Sequence, residues 1–209
     1  MRRVASRARD HARLRDRLAF ERGERLLSAA RSPEGHYALV TSDRALYYRA
    51  GNGAWPRLGW EQVTGVSWDA AGRRMVIAGL GGSAHTRAEV CLRDRGSMPE
   101  IAMERITHTT LGSWRIPIQL PASTAADGHP GFGGRPGADR SRHLRVEARR
   151  KPVTGEVLWF VSADGGPDGG HGLAAGQLHG YAERAVARLS ADFGLPCQAP
   201  VPLPWPPRR

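Results

Sequence analysis

The spacing of hydrophobic residues changes along the chain, and each change predicts a different kind of element. Residues 1–23 are rich in Arg, Ala and Leu, with one Gly and no Pro, which is typical of a helix, although its apolar stripe is thin. From Glu24 to Arg93, short apolar runs alternate with turn-forming residues. This pattern predicts about seven short strands in an antiparallel meander that curls or closes to bury its apolar face.

The second half predicts a helix, further strands and a final helix. Ser97 and Glu100 have the spacing of a capping box, and Pro99 fits the first turn of a helix. The secondary structure of residues 106–120 is ambiguous. Their β-branched residues favour a strand, and Pro117 would place that strand at a sheet edge. "HLRVEARR" and "EVLWFVS" predict a hairpin. The last helix carries an apolar stripe formed by Leu178, Tyr181, Ala185, Leu189 and Phe193.

These elements predict an α+β protein. We expect a mainly antiparallel, curved sheet or partly open barrel with capping helices and a basic N-terminal helix. The expected organisation is a basic helical arm at 1–23, a β domain at 24–110, a C-terminal α+β portion at 111–195 and a Pro-rich tail at 196–209. Within the third part, residues 121–142 are almost entirely Gly, Pro, Ala, Ser and charged residues, which predicts a flexible insertion.

Charge is concentrated in two places. The chain of 209 residues has a net charge of +11, and residues 1–26 and 140–151 each carry a net charge of +5. Arginine suits phosphate because its planar guanidinium binds with two parallel N–H groups. The candidate polyanion-binding residues are Arg2, Arg3, Arg7, Arg9, Arg13, Arg15, Arg17, Arg140, Arg142, Arg145, Arg149, Arg150 and Lys151.

The two clusters could bind a polyanion, or they could have a purely structural role. A basic chain admits nucleic acid, an anionic membrane surface or an acidic protein as a partner. No aromatic residue is interleaved with the arginines at 2–17 or with the residues at 140–151, although stacking aromatics are typical of single-strand nucleic-acid binders. The 140–151 cluster also fits a solvated edge strand whose charges block pairing with another edge.

Catalytic and metal-binding motifs are missing from the sequence. The eight histidines are scattered without the HExxH spacing, and Cys91 and Cys197 form no CxxC pair. We therefore expect no enzyme activity, no cofactor, no metal and no small-molecule substrate. The basic N-terminus is not followed by an apolar run of signal-peptide length, so we expect a cytoplasmic protein.

Trp60 and Trp68 lie eight residues apart between Arg57 and Asp69. They could form a stacking surface for a ligand, or they could pack in the core with each indole N–H bonded to an oxygen. We favour the core, because the net positive charge lies elsewhere in the chain.

Four short motifs carry a resemblance to a known family. Gly23-Glu24-Arg25 opens a strand, Thr41 ends another before a polar turn, Arg57-x-x-Trp60-Glu61-x-Val63 follows, and Val66-x-Trp68-Asp69 comes next. Together they resemble small bacterial pleckstrin-homology-like domains. More narrowly, residues 22–193 are similar to an actinobacterial family that joins such a domain to a C-terminal part containing "MPEIAMERIT", "LRVEARR" and "EVLWFVS".

The resemblance implies a curved antiparallel sheet capped by a helix and implies no chemistry. Lipid binding in this fold class needs basic residues clustered near the first hairpin, and only Arg31 and Arg44 flank it here, beside Glu34 and Asp43. We therefore expect a non-enzymatic adaptor that recognises a protein partner. A nucleic-acid-associated protein that uses the arginine-rich arm and a peripheral binder of anionic membrane remain the alternatives.

Overall fold

The computed structural model describes residues 14, 16–51, 53–81, 84–118, 142–164, 175–197 and 201–202. These residues form three sheets and two α-helices, which is the expected α+β class. The chain divides into two units, one containing residues 1–111 and 149–156 and the other containing residues 112–148 and 157–209. None of the described helices is long and apolar enough to cross a membrane.

Two antiparallel sheets build the first unit. The first sheet has the order β1-β2-β3-β4, with strands at Leu26–Arg31, Tyr37–Ser42, Ala45–Tyr48 and Arg57–Gly59. The second has the order β5-β6-β7, with strands at Val63–Asp69, Arg74–Gly81 and Ala84–Cys91. The described strands thus form two open sheets, and no barrel closes among them.

The polar turn between β2 and β3 is held by one hydroxyl. Ser42 Oγ accepts hydrogen bonds from the backbone N–H groups of Arg44, at 3.1 Å, and Ala45, at 2.8 Å. Polar residues favour turns because their side chains satisfy backbone groups in this way. The polar turn after Thr41 thus joins β2 to β3 through Ser42, Asp43 and Arg44.

Trp60 lies in the core of the first unit and begins a 3-10 turn at Trp60–Gln62. Its side chain is 0% exposed, and its Nε1 donates to the Ser42 carbonyl oxygen at 2.9 Å. Trp68 is half-buried against the same core. The core interpretation is therefore confirmed for Trp60, including its bonded indole N–H, while Trp68 packs against the core from a different element.

Helix α1, Met98–Thr109, supplies one side of this core through Met98, Ala102 and Ile106. The predicted start is correct, but the capping box is wrong: the Ser97 side chain makes no capping hydrogen bond, and Glu100 pairs with Arg95 at 3.2 Å. The strand predicted after this helix is β8, Thr110–Ile118, and it lies at the edge of the third sheet, as Pro117 requires.

The third sheet has the order β11-β10-β9-β8. Strands β9, Arg142–Arg150, and β10, Val157–Asp164, are the predicted hairpin, and β11, Val201–Pro202, joins β10 in parallel. In the second unit, Trp159 is fully buried and its Nε1 donates to the Pro196 carbonyl oxygen at 2.9 Å. Helix α2, Ala175–Phe193, buries one face through Ala182, Ala185, Val186 and Leu189.

Several predictions fall wholly or partly outside the described residues. The insertion at 121–142 does so except for the backbone of Arg142, and most of the tail at 196–209 does so as well. Of the arm at 1–23, only residues 14 and 16–23 are described, and within them Leu14, Asp16 and Arg17 are helical.

Candidate anion-binding cleft

A cleft of about 530 Å³ opens in the first unit. Three segments contribute to it: the N-terminal segment before β1, the hairpin of β1 and β2, and the connection from β3 to β4. It is lined by Leu14, Arg17, Arg31, His36, Tyr37, Arg49, Gly53 and Trp55. The lining thus combines three guanidinium groups with two aromatic side chains.

Apolar packing holds the N-terminal segment against the first sheet. Leu14 is 3% exposed and lies with Leu18 in a hydrophobic cluster with Val40, Ala45 and Tyr47. Tyr37 and Trp55, which line the cleft, pack against the same cluster. Because Leu14 and Leu18 belong to this cluster, Arg17 between them is held beside the sheet, although its own side chain is exposed.

The β1–β2 hairpin fixes a second arginine. Arg31 is the register partner of Tyr37, and its guanidinium carbon lies 4.0 Å from the centroid of the Tyr37 ring. Arg31 Nη1 also donates to the Gly35 carbonyl oxygen at 2.7 Å. Gly35 has a φ of +87°, a backbone conformation that suits glycine, so the turn brings that carbonyl under the guanidinium.

The β3–β4 connection supplies the third arginine and the second aromatic residue. The Arg49 backbone N–H donates to the Ala38 carbonyl oxygen at 2.9 Å, which keeps Arg49 beside β2 just after β3 ends. Two hydrogen bonds of 2.9 Å close the loop that follows, from Ala50 N–H to Ala54 and from Gly53 N–H to Ala50. This closed loop leads directly into Trp55.

The lining is positively charged without compensation from its own residues. Among the described lining residues there is no carboxylate, and within the described part of the chain neither Arg17 nor Arg49 forms a recorded ion pair. Glu34 lies on the hairpin turn nearby. A hydrogen bond from Ser32 lowers the pKa of Glu34, and His36 adds to this effect.

Other arginines of the first unit are engaged by acidic partners. Arg57 Nη2 lies 2.7 Å from Glu21 Oε1, and Arg44 Nη1 lies 3.2 Å from Glu21 Oε2. Arg25 pairs with Asp43 at 3.1 Å. Arg17 and Arg49, which line the cleft, differ from these arginines because neither forms an ion pair within the described part of the chain.

A buried polar network supports the segment that carries Arg17. Glu24 is 1% exposed, and it accepts hydrogen bonds from the Tyr47 hydroxyl at 2.9 Å, the Glu21 backbone N–H at 2.9 Å and the Ser42 hydroxyl. Burial raises the pKa of Tyr47, and the Glu24 carboxylate raises it further while Arg57 opposes. Tyr47 therefore stays protonated and donates.

One of the predicted basic residues of the arm lies in the cleft. Arg17 lines it, whereas the structure does not describe the others, Arg2, Arg3, Arg7, Arg9, Arg13 and Arg15. No residue of the 140–151 cluster is among the described residues that line the cleft, so the cleft does not bring the arm and this cluster together.

The 140–151 cluster is largely occupied by contacts within the protein. Arg145 pairs with Glu147 at 2.8 Å, and Lys151 pairs with Glu156 at 2.6 Å. Arg149 is 3% exposed and donates from Nη1 to the Val63 carbonyl oxygen at 2.7 Å, so its guanidinium does not face solvent. Arg150 is exposed. Arg140 and the side chain of Arg142 lie outside the described residues.

The sequence places only Arg31 and Arg44 near the first hairpin, and it does not predict the cleft. The fold turns Arg44 toward Glu21 and brings Arg17 and Arg49 to Arg31 instead. The positions of Arg31 and Tyr37 at the two ends of the hairpin turn were the available signal, since such residues face each other across antiparallel strands.

Comparisons of the chain with protein-family models, curated proteins and solved structures find no match.

Proposed function

We propose that the protein is a non-enzymatic binding module whose cleft takes an acidic segment of a protein partner. The observation that supports this most is the position of Arg17 and Arg49, which have no recorded ion pair among the described residues, beside the half-buried rings of Tyr37 and Trp55. A guanidinium offers a rigid fork of N–H donors that matches a carboxylate. The rings of Tyr37 and Trp55 offer an apolar surface on which residues flanking the acidic residue of the partner can pack.

We also infer that the first unit is a pleckstrin-homology-like domain in a cytoplasmic protein. Two antiparallel sheets followed by a helix that packs into their core agree with the curved, helix-capped sheet which the resemblance implies. Cys91 and Cys197 are free and exposed, which agrees with a reducing compartment.

A peptide fits the cleft better than nucleic acid does. Nucleic-acid binding draws on many phosphate contacts spread along a surface. Within the described part of the 140–151 cluster, Arg145, Arg149 and Lys151 are already engaged. Among the described residues, Arg17, Arg31 and Arg49 line one concave site, whose size suits one or two anionic groups.

A membrane also fits the cleft less well. An interfacial site needs bulky apolar side chains that enter the bilayer beside the basic residues. The large exposed apolar residues of the described chain are Leu27, Met103, Val153 and Phe193, and none of them lines the cleft.

Selection from a library of short random peptides tests the proposal. Wild-type protein should enrich peptides with neighbouring Asp or Glu residues, and the Arg17→Glu/Arg49→Glu variant should not bind them. Arg150→Glu is the matched control, because Arg150 is an exposed arginine that does not line the cleft, and it should bind like wild type. Circular dichroism establishes that all three proteins are folded.

Two results would overturn the proposal. One is a selection without acidic enrichment. The other is a set of enriched peptides that bind the cleft variant as well as wild type. If the partner were nucleic acid, mixed oligonucleotides would bind with an affinity that falls steeply between about 50 and 200 mM salt, and the peptides would not compete with them.

A further inference from the structure

We propose that the anionic group which the cleft recognises is a phosphate monoester, carried by a phosphorylated side chain of the partner. This inference rests on the proposed function, because it names the chemistry of the acidic group in the same site. The module would then recognise its partner only after the partner is phosphorylated. A carboxylate in the same position would bind more weakly than the phosphate.

The charge of the cleft supports a dianion. Arg17, Arg31 and Arg49 line it together, and the described lining contains no carboxylate. A single Asp or Glu would contribute one negative charge, whereas a phosphate monoester carries about −1.5 to −2 at neutral pH. A dianion therefore matches the two guanidinium groups of Arg17 and Arg49, which form no ion pair within the described part of the chain.

The number and type of donors support phosphate as well. Each arginine presents N–H groups in one plane, which pair with two oxygens of a phosphate in parallel. A carboxylate has about four lone-pair sites, and all of them lie in one plane, so a second guanidinium has to approach within that plane. A phosphate monoester has three terminal oxygens, which allows Arg17 and Arg49 to bind the same group from different sides.

Pre-organisation lowers the entropic cost of forming this site. The Arg31 guanidinium is held over the Tyr37 ring at 4.0 Å and by the Gly35 carbonyl at 2.7 Å, so its charge has a fixed place in the lining. His36 follows Gly35 on the same turn and lines the cleft, and its imidazole adds a donor. Trp55 provides an aromatic wall for the group that bears the phosphate.

A titration with small aromatic anions tests the chemistry directly. In ¹⁵N-labelled full-length protein, the indole N–H signal of Trp55 is assigned by its loss in Trp55→Phe. Phenyl phosphate should shift this signal saturably and bind at least about tenfold more tightly than phenyl sulfate, a monoanion of the same tetrahedral shape. Arg17→Ala and Arg49→Ala should each weaken phenyl phosphate about tenfold, and Arg150→Ala should not. Equal affinity for the two anions would overturn the inference.

A peptide pair separates this inference from the proposed function. In an acidic peptide selected by the wild-type protein, replacement of the central Asp by phosphoserine should increase the affinity at least about tenfold. If the peptide needs Arg17 and Arg49 but gains nothing from phosphate, the phosphate inference is wrong and the proposed function stands. If no peptide binds but phenyl phosphate does, the proposed protein partner is wrong.

Vesicles test the source of the phosphate. Phosphatidic acid carries a phosphate monoester on a lipid, so vesicles of phosphatidylcholine with phosphatidic acid present the same group on a membrane. The inference predicts that the phosphopeptide binds more tightly than these vesicles and displaces phenyl phosphate. Tighter binding to the vesicles, lost in Arg49→Ala, would overturn the assignment to a protein side chain.

Discussion

Arg31 lies over the ring of Tyr37, its partner across the first hairpin, with 4.0 Å between the guanidinium carbon and the ring centroid. Register places the two residues opposite each other, and the Gly35 carbonyl completes the contact. The hairpin therefore builds one wall of the cleft before any ligand arrives. Removal of this wall should therefore affect binding more than folding.

Tyr37→Leu should weaken binding of a selected acidic peptide several-fold. The leucine keeps apolar packing but removes the cation–π contact that orients Arg31, a contact worth about 0.5–1 kcal/mol at an exposed site. Fluorescence anisotropy with a labelled peptide measures the change. Tyr181→Leu is the control, because Arg184 lies 4.8 Å from the Tyr181 ring in a similar contact that does not line the cleft. Equal losses in both variants would contradict the role of Tyr37.

Trp60→Ala should lower the free energy of unfolding by about 3–5 kcal/mol, the usual range for a buried large-to-small change. Trp60 is fully buried, and the substitution also leaves the Ser42 carbonyl without its indole donor. Trp68→Ala should cost clearly less, because Trp68 is only half-buried. Urea unfolding followed by circular dichroism compares the two variants. A larger loss for Trp68→Ala would contradict the core assignment.

Glu24→Gln should destabilise the first unit by about 3 kcal/mol, within the range for breaking a buried charged network. The substitution weakens the acceptor for Tyr47 and Ser42 and removes the negative charge that faces Arg57, whose Nη2 lies 3.9 Å from Glu24 Oε2. Chemical unfolding measures the loss. Glu104→Gln is a control, since Glu104 is an exposed residue of α1 and should change stability little. Equal stability of Glu24→Gln and wild type would show that the network contributes nothing.

Glu61→Gln should raise the free energy of unfolding at neutral pH. Burial raises the pKa of Glu61 above its ordinary value of 4.5, with Arg57 and Lys151 opposing. A raised carboxyl pKa in the folded state means that stability is full below the unfolded pKa and falls as pH rises through the folded pKa. The glutamine variant should therefore exceed wild type at pH 7 and match it below about pH 4. An unchanged difference between the two proteins across that range would contradict the burial effect.

Elements that depend on local pattern could be predicted from the sequence. The β9–β10 hairpin follows from two alternating apolar runs around a turn, and the edge position of β8 follows from Pro117, which lacks a backbone N–H. The core role of Trp60 also followed, because a large indole with a polar N–H is most stable when buried and bonded.

Features that depend on distant residues could not be predicted in the same way. Arg149 looked like a solvent-facing charge in an alternating strand, yet it donates to Val63, which is far away in sequence. The capping box is absent as well, since the Ser97 side chain makes no capping hydrogen bond and Glu100 pairs with Arg95. The cleft joins Arg17, Arg31 and Arg49 from three separate segments, and only the folded sheet shows that they meet.

Calorimetric titration of a selected acidic peptide into wild type, Arg49→Ala and Arg150→Ala tests the central claim most directly. The account predicts that Arg49→Ala loses about tenfold or more in affinity, because it removes charged hydrogen bonds worth about 1.5–3 kcal/mol, while Arg150→Ala binds like wild type. Loss in Arg150→Ala with full binding by Arg49→Ala would place the site at the 140–151 cluster and contradict the account.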